Sequence, residues 1–437
     1  MQHLALSEST PLMKADEAMM SMRYIRLNVL RSILALLVVT CHFDVMFKGP
    51  NIPTIVQPIW PIFTNGKLSV MAFWALSGAV VAKRCIATPS LEHLMLVAFK
   101  RLPRLGVPVL AASLITCTLA NMGAFANVHR MESQYAQRWW RNQVDYTWTS
   151  NWHAALGVSL PPFAGPFPAN VLWTLQGELV GSMFVFALAP AFTLLCCTHT
   201  ESGKTDALRR SAVLHILVLS LMVCFSFYER RSPEVFEGSL KLIGFTPNAS
   251  WNQLWRVLFL FEAGFAFEQL QAINPPVSFR RAWLSVSLVL LGLSTVFVAP
   301  QSGSFWIYED YVTVGGVLLV YGTLLMPDKR EGGCNQLEIF GKIAFGIYLL
   351  HGTIFYSIGF SMYLTLRAWN FDVGFAYCCC LILCLALIVP VSYLFWLCVE
   401  KPFAIDLPCL VWKLASMRVK SLLQRDTTGA SEGPALC

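Results

Sequence analysis

Charge is what this sequence has least of. Asp, Glu, Lys and Arg make up 13% of its 437 residues, against about 25% in a soluble globular chain. Apolar side chains reach 56% and the mean hydropathy is +0.57. That deficit excludes a string of soluble domains with large cores and points to an all-α polytopic membrane protein with the lipid bilayer as its surroundings. A secretory leader pattern is missing too. Residues 1–22 hold Lys14, Asp16 and Glu17 and no compact apolar stretch, so the first apolar run is expected to act as an uncleaved signal. No CxxC pair and no Cys/His ligand spacing occurs, which leaves no metal site to expect. Most of the 14 Cys lie inside apolar runs, as at Cys196-Cys197 and Cys378 to Cys380, where they read as small, lipid-compatible residues. Without a G-x-S-x-G elbow a serine nucleophile is not expected. With Cys437 as the last residue, the prenylation pattern is absent. No transporter-like internal repeat is visible.

A net charge of +7 could suggest nucleic acid, but the basic residues sit in short clusters between apolar runs, the signature of membrane topology. About 20 apolar residues cross a bilayer. Ten runs qualify, at 27–47, 67–84, 105–124, 168–197, 212–228, 251–270, 282–300, 309–326, 339–363 and 374–398. With a cytoplasmic N-terminus, most of the 32 basic residues fall on the inner side; the expected topology is therefore about ten transmembrane helices with both termini cytoplasmic. The domain plan that follows is a cytoplasmic segment 1–26, a membrane domain 27–403 and a cytoplasmic tail 404–437 with a disordered end. Residues 125–167 form a long outside loop rich in aromatics (Trp139, Trp140, Tyr146, Trp148, Trp152), the composition of a lid or an interfacial segment. The sequon Asn248-Ala249-Ser250 falls outside, where Asn248 is a glycosylation candidate in a secretory-pathway protein.

Polar residues within the spans carry the functional signal. Arg31 and His42 stand eleven positions apart on the first run. Eleven helical steps of about 100° come within about 20° of three full turns, so both share one face, roughly 16 Å apart. Charge buried in lipid is costly and marks function, although a lone histidine can simply hydrogen-bond neighbouring helices. With a rise of 1.5 Å per residue, His42, Glu178, Ser77 and His351 reach depths near the midplane or slightly above it, while Arg31 waits nearer the cytoplasm. Each has a plain structural reading as well: Glu178 as an arginine partner, His351 as helix glue, Ser77-Gly78 as a close-packing point, Arg101 and Arg104 as topology anchors. A basic cluster at the inner mouth of a pocket nevertheless suits an anionic ligand.

Taken in order, the motifs resemble the acyltransferase 3 family of integral-membrane O-acyltransferases. The resemblance rests on Arg31-x10-His42, on Phe73-x-x-x-Ser77-Gly78, and on Arg101-x-x-Arg104 running to Pro108. It continues through Trp173-x-Leu175-x-x-Glu178, Tyr348-Leu349-x-His351, and Glu400-Lys401-Pro402-Phe403. One departure is Gln176-Gly177 within the span-four element. The resemblance implies transfer of an acyl group, most often acetyl, from acetyl-CoA or another acyl-CoA cosubstrate to a hydroxyl, with no tightly bound cofactor and no metal. His42 would act as general base or as acyl-histidine nucleophile, with Glu178 orienting or stabilising its imidazole. Arg31, Arg101 and Arg104 would hold the donor, and Ser77, Tyr348 and His351 would contact substrate. The acceptor, a small molecule, lipid or glycan hydroxyl, is left open; a small or lipophilic one, such as a secondary metabolite, is favoured because no soluble domain follows Phe403. The host membrane would be the endoplasmic reticulum or another endomembrane in a eukaryote, or the plasma or inner membrane in a bacterium. Two alternatives remain: a secondary transporter using Arg31, His42 and Glu178 as an ion relay, and a scaffold whose polar residues only bind helices together.

Overall fold

The structure is a computed structural model and describes residues 11–47, 59–87, 91–125, 173–196, 203–231, 254–273, 278–298, 305–326, 335–415 and 417–418. Among these residues every element is helical. In chain order the helices are α1 (Pro11–Phe47), the single turn α2 (Trp60–Phe63), α3 (Gly66–Ala87), α4 (Leu91–Asn121), α5 (Trp173–Cys196), α6 (Gly203–Arg231), α7 (Leu254–Ile273), α8 (Ser278–Val298) and α9 (Phe305–Leu325). Helix α10 (Asn335–Ile354) runs through a π-helical stretch, Phe355–Gly359, into α11 (Phe360–Ala368). Helix α12 (Val373–Phe395) likewise passes into a longer π-helical stretch, Trp396–Asp406. The aromatic loop beyond Phe125, the sequon at Asn248 and the end of the tail lie outside the described residues.

A helix stands at each of the ten expected spans, but the ends differ. Helix α1 begins at Pro11 rather than 27, α4 at Leu91 rather than 105, and the last helical run continues to 415 rather than stopping near 398. Hydropathy marks only the apolar centre of a helix, whereas backbone hydrogen bonding continues into polar flanks. Five stretches are long and apolar enough to cross a membrane by length and composition: Arg26–Phe47, Gly66–Ile86, Glu92–Asn121, Ile339–Ala368 and Val373–Ala415. Apolar side chains also face outward, including Ile216, Leu221, Trp283, Leu290, Ile382 and Leu394. Inside, by contrast, Arg256, Glu262 and Glu309 are fully buried. That inversion suits lipid and not water. The protein is a membrane protein.

Helix α3 is the centre of the bundle, packed against α1, α5, α7 and α9. Its tightest crossing is with α7, where two glycines meet. A Cβ on Gly264 would stand 2.3 Å from the carbonyl oxygen of Ala75, and one on Gly78 would stand 2.4 Å from that of Phe261. The backbones thus touch without intervening side chains, the small-residue packing that holds membrane helices together.

At one end of the bundle a charged knot ties three helices. Arg256 of α7 donates to Glu309 of α9, Lys67 of α3 donates to Glu309 Oε1 at 2.7 Å, and Arg256 lies 3.4 Å from Asp310 Oδ1. Removing one member of a buried pair leaves the other uncompensated. Arg256→Leu is expected to cost about 3–5 kcal/mol, read as a lowered Tm of the purified protein in detergent.

Contacts fix the helix directions. Gly341 abuts Asn28 and His351 meets His42, so α1 and α10 run parallel. The pairing of Thr40 with the Phe63 carbonyl places the start of α3 beside the end of α1, antiparallel to it. The α11–α12 turn is locally encoded: Asn370 takes the left-handed conformation, φ 62°, and Asp372 then caps α12 by accepting from the amides of Gly374 and Phe375.

Candidate active site

A cavity of about 210 Å³ opens between α1, α3, α4, α5, α10 and the π-helical stretch after α12. Helical periodicity explains its walls. On α3 the lining residues Val70, Phe73, Trp74, Ser77 and Val80 recur at the spacing of one helix face. On α10, Gly341, Ala344, Phe345 and Tyr348 do the same. Asn28 and Arg31 of α1 complete that side.

The sequence-predicted residues divide into two connected groups. Arg31, Ser77, Arg101, Arg104, Glu178 and Tyr348 all line the cavity. Within it, Glu178 is the hub: its Oε1 accepts from Ser77 Oγ at 3.0 Å and from Arg101 Nη2 at 2.8 Å. Arg101 Nε also donates to Ser182 Oγ at 2.6 Å, which locks the guanidinium plane. Two prolines, Pro103 and Pro108, sit in this part of α4. They cannot donate backbone hydrogen bonds to the preceding turn, which loosens the helix where the two arginines enter the cavity. Glycine at 177, the departure noted in this element, has a packing cause: a Cβ there would stand 2.8 Å from the indole of Trp74. The same indole donates to the Thr174 carbonyl at 3.0 Å, so the first turn of α5 is seated directly on α3.

His42 and His351 form the second group, one turn beyond Tyr348 along α10. Nδ1 of His42 and Nε2 of His351 are 2.8 Å apart. The ring centroids are 5.0 Å apart and the planes 7° from parallel. With so short a nitrogen–nitrogen distance at that centroid separation, the rings meet edge to edge in nearly one plane and not face to face. His351 Nδ1 lies 2.7 Å from the Tyr348 carbonyl oxygen, which can only accept. That nitrogen therefore carries the proton of neutral His351 and leaves Nε2 as a lone pair. The hydrogen between the rings then comes from Nδ1 of His42, and the lone pair of neutral His42 resides on Nε2. His351, expected as a substrate contact, occupies the orienting place beside His42 that was anticipated for Glu178. Tyr348 links the groups: its hydroxyl pairs with Thr174 Oγ1 at 2.5 Å, its ring faces the cavity, and its carbonyl holds His351.

Sequence reasoning missed most of the lining, including Asn28, Lys342, Trp396 and Glu400. In sequence Lys342 is one basic residue among those of the expected inner side, and Glu400 belongs to the Glu400-Lys401-Pro402-Phe403 element. The repeat 341, 344, 345, 348 could have marked the cavity face of α10, but nothing local distinguishes a face that meets a cavity from one that meets a helix. Four cationic side chains (Arg31, Arg101, Arg104, Lys342) against two carboxylates (Glu178, Glu400) line the space, an excess that suits an anionic ligand. Among the described residues there is no group of His, Cys, Asp and Glu that could hold a metal ion.

No curated protein and no solved structure matches the chain. A family does: the acyltransferase domain matches residues 24–397, from within α1 to the first turn of the last π-helical stretch, and so takes in the three arginines of the cavity and the histidine pair together. The match does not favour the transporter reading. The chain belongs to the acyltransferase 3 family and is a membrane acyltransferase.

Proposed function

We propose that this protein transfers an acetyl group from acetyl-CoA, or a related acyl group from its CoA thioester, to a hydroxyl on a small, lipophilic or carbohydrate acceptor. The observation that carries this reading is the tautomer chain from the Tyr348 carbonyl through His351 to His42, which puts the lone pair of neutral His42 on Nε2, with Tyr348 of the same chain of contacts lining the cationic cavity.

In the proposed reaction His42 Nε2 takes the proton of the acceptor hydroxyl as its oxygen attacks the thioester carbonyl. The tetrahedral species collapses, the carbon–sulfur bond breaks, and the thiolate leaves with the proton returned by His42. His351 Nε2 accepts a hydrogen bond from His42 Nδ1 throughout, so the imidazolium is held in place by an acceptor, as an aspartate holds it in a catalytic triad. Arg31 and Arg104 bind phosphate groups of the donor. Arg101, tied to Glu178, shapes the entrance, and Ser77 and Tyr348 contact the thioester and acceptor. Glu178 serves by neutralising and fixing Arg101 rather than by touching the base.

The membrane arrangement proposed with this chemistry has ten crossings and both termini cytoplasmic. The arginine end of the cavity then faces the cytoplasm, where acyl-CoA is made, and the histidine pair lies toward the opposite half of the bilayer. Acceptors drawn from the membrane or from the far side, secondary metabolites among them, reach His42 from there.

Membranes containing the protein are expected to move radiolabel from [¹⁴C]acetyl-CoA into a base-labile ester when supplied with an extract of hydroxylated small molecules and lipids. Movement of an unmodified substrate across sealed vesicles, with no labelled product from any acyl-CoA supplied, would overturn the proposal.

A further inference from the structure

At the arginine end of the cavity stands a feature that the transfer chemistry does not use. Trp396 and Lys342 both line the cavity, Lys342 is exposed at its rim, and the Lys342 Nζ lies 5.8 Å from the centroid of the Trp396 ring. Lys401 Nζ lies 5.9 Å from the same ring. We propose that Trp396 and Lys342 form a seat for the nucleotide end of the acyl-CoA donor, with the adenine against the indole and the ammonium group joining Arg31 and Arg104 on the phosphates. This rests on the acyl-CoA reading and adds to it a second subsite within the same cavity.

Three observations converge on a nucleotide. First, the cavity of about 210 Å³ falls below the roughly 300–1,000 Å³ of sites that enclose a whole drug-sized ligand. It takes an extended pantetheine arm and leaves the bulkier nucleotide at the mouth. Second, the mouth is built by an unusual backbone. Trp396 opens the π-helical stretch Trp396–Asp406, and Trp396, Glu400 and Ala404 all face the cavity. Spaced four apart, they share one face of the stretch, and π-helical turns within longer helices are frequent at functional sites. This stretch packs against α4, the helix that supplies Arg101 and Arg104. Third, an indole with ammonium groups at hand joins a stacking surface to positive charge, the pairing that recognises a base attached to phosphates.

The test compares two donors in purified protein: acetyl-CoA, and S-acetylpantetheine, which lacks the nucleotide. The parent is expected to favour acetyl-CoA in kcat/KM, chiefly through KM. In Trp396→Leu and in Lys342→Ala that preference should shrink by about tenfold, the scale of losing one base stack or one charged contact. Trp396→Phe, which retains an aromatic face, should recover most of it. Adenosine 3′,5′-bisphosphate should inhibit transfer by the parent and lose potency to the same extent against the two variants. Because preference is a ratio within each protein, a partly misfolded variant does not mimic the effect. An unchanged preference in both variants, or bisphosphate inhibition that is absent in the parent, overturns the nucleotide seat while leaving the acyltransferase reading intact. Absence of transfer from either donor in the parent would instead overturn the acyl-CoA reading, and the seat with it.

Discussion

Acetyl transfer by His42→Ala is expected to fall by about 10²–10⁴-fold, the contribution of a positioned general base, with the variant still inserted and monodisperse. The side chain spans a short gap to His351 and is not part of the charged knot or of the glycine crossing, so its removal need not disturb the bundle. His351 separates a positioning role from a packing one. His351→Ala should lower kcat with little change in the KM for acetyl-CoA, because the base stays but its tautomer and orientation are no longer held. His351→Gln places a side-chain oxygen where Nε2 of His351 stood and should recover part of kcat, since accepting from His42 Nδ1 is the only demand made of it. The measurement is steady-state transfer of labelled acetyl by equal amounts of purified protein. A His42→Ala protein as fast as the parent would remove His42 from the mechanism. A His351→Gln protein no better than His351→Ala would reduce His351 to helix packing.

The largest structural effect is expected from the smallest substitution. Gly264→Ala adds one carbon that would stand 2.3 Å from the Ala75 carbonyl oxygen and 2.5 Å from the Ala79 amide nitrogen. Both obstacles are backbone, so no rotamer change relieves them, and α3 and α7 must separate. Overpacking of a core commonly costs about 1–3 kcal/mol; here the cost should reach or exceed the upper end, because the displaced helix also packs on α1 and α5, two walls of the cavity. Size-exclusion profiles and Tm in detergent would show the loss. Gly352→Ala is the matched control. Nothing lies within 4 Å of a Cβ at that position, and replacing a helical glycine by alanine is ordinarily worth about 0.5–1 kcal/mol in stability. Equal behaviour of the two variants would refute the close crossing.

Sequence alone determined the class and much of the inventory. Low charge and long apolar runs required a helical membrane protein, since only helices or closed barrels satisfy every backbone group in lipid. The repeat of about 3.6 residues put Arg31 and His42 on one face of α1, because side-chain direction along a helix is a local property; that Ser77 of α3 lines the cavity was not legible in it. Helix ends were less legible: α4 and α6 extend well into polar flanks that hydropathy does not mark. What only tertiary structure decided is which faces meet. His42 and His351 are 309 positions apart, and nothing near either one names the other. Glu178 could have reached a histidine or an arginine; the seating of α5 on Trp74 and the entry of α4 beside it delivered Arg101 and Ser77. Lys342 of α10 and Trp396 of the last π-helical stretch meet at the cavity, and nothing in either local sequence names the other. Periodicity is written in neighbouring residues. The register between helices is set by contacts such as Gly78 and Gly264 against opposing backbone, which exist only once distant parts of the chain have packed.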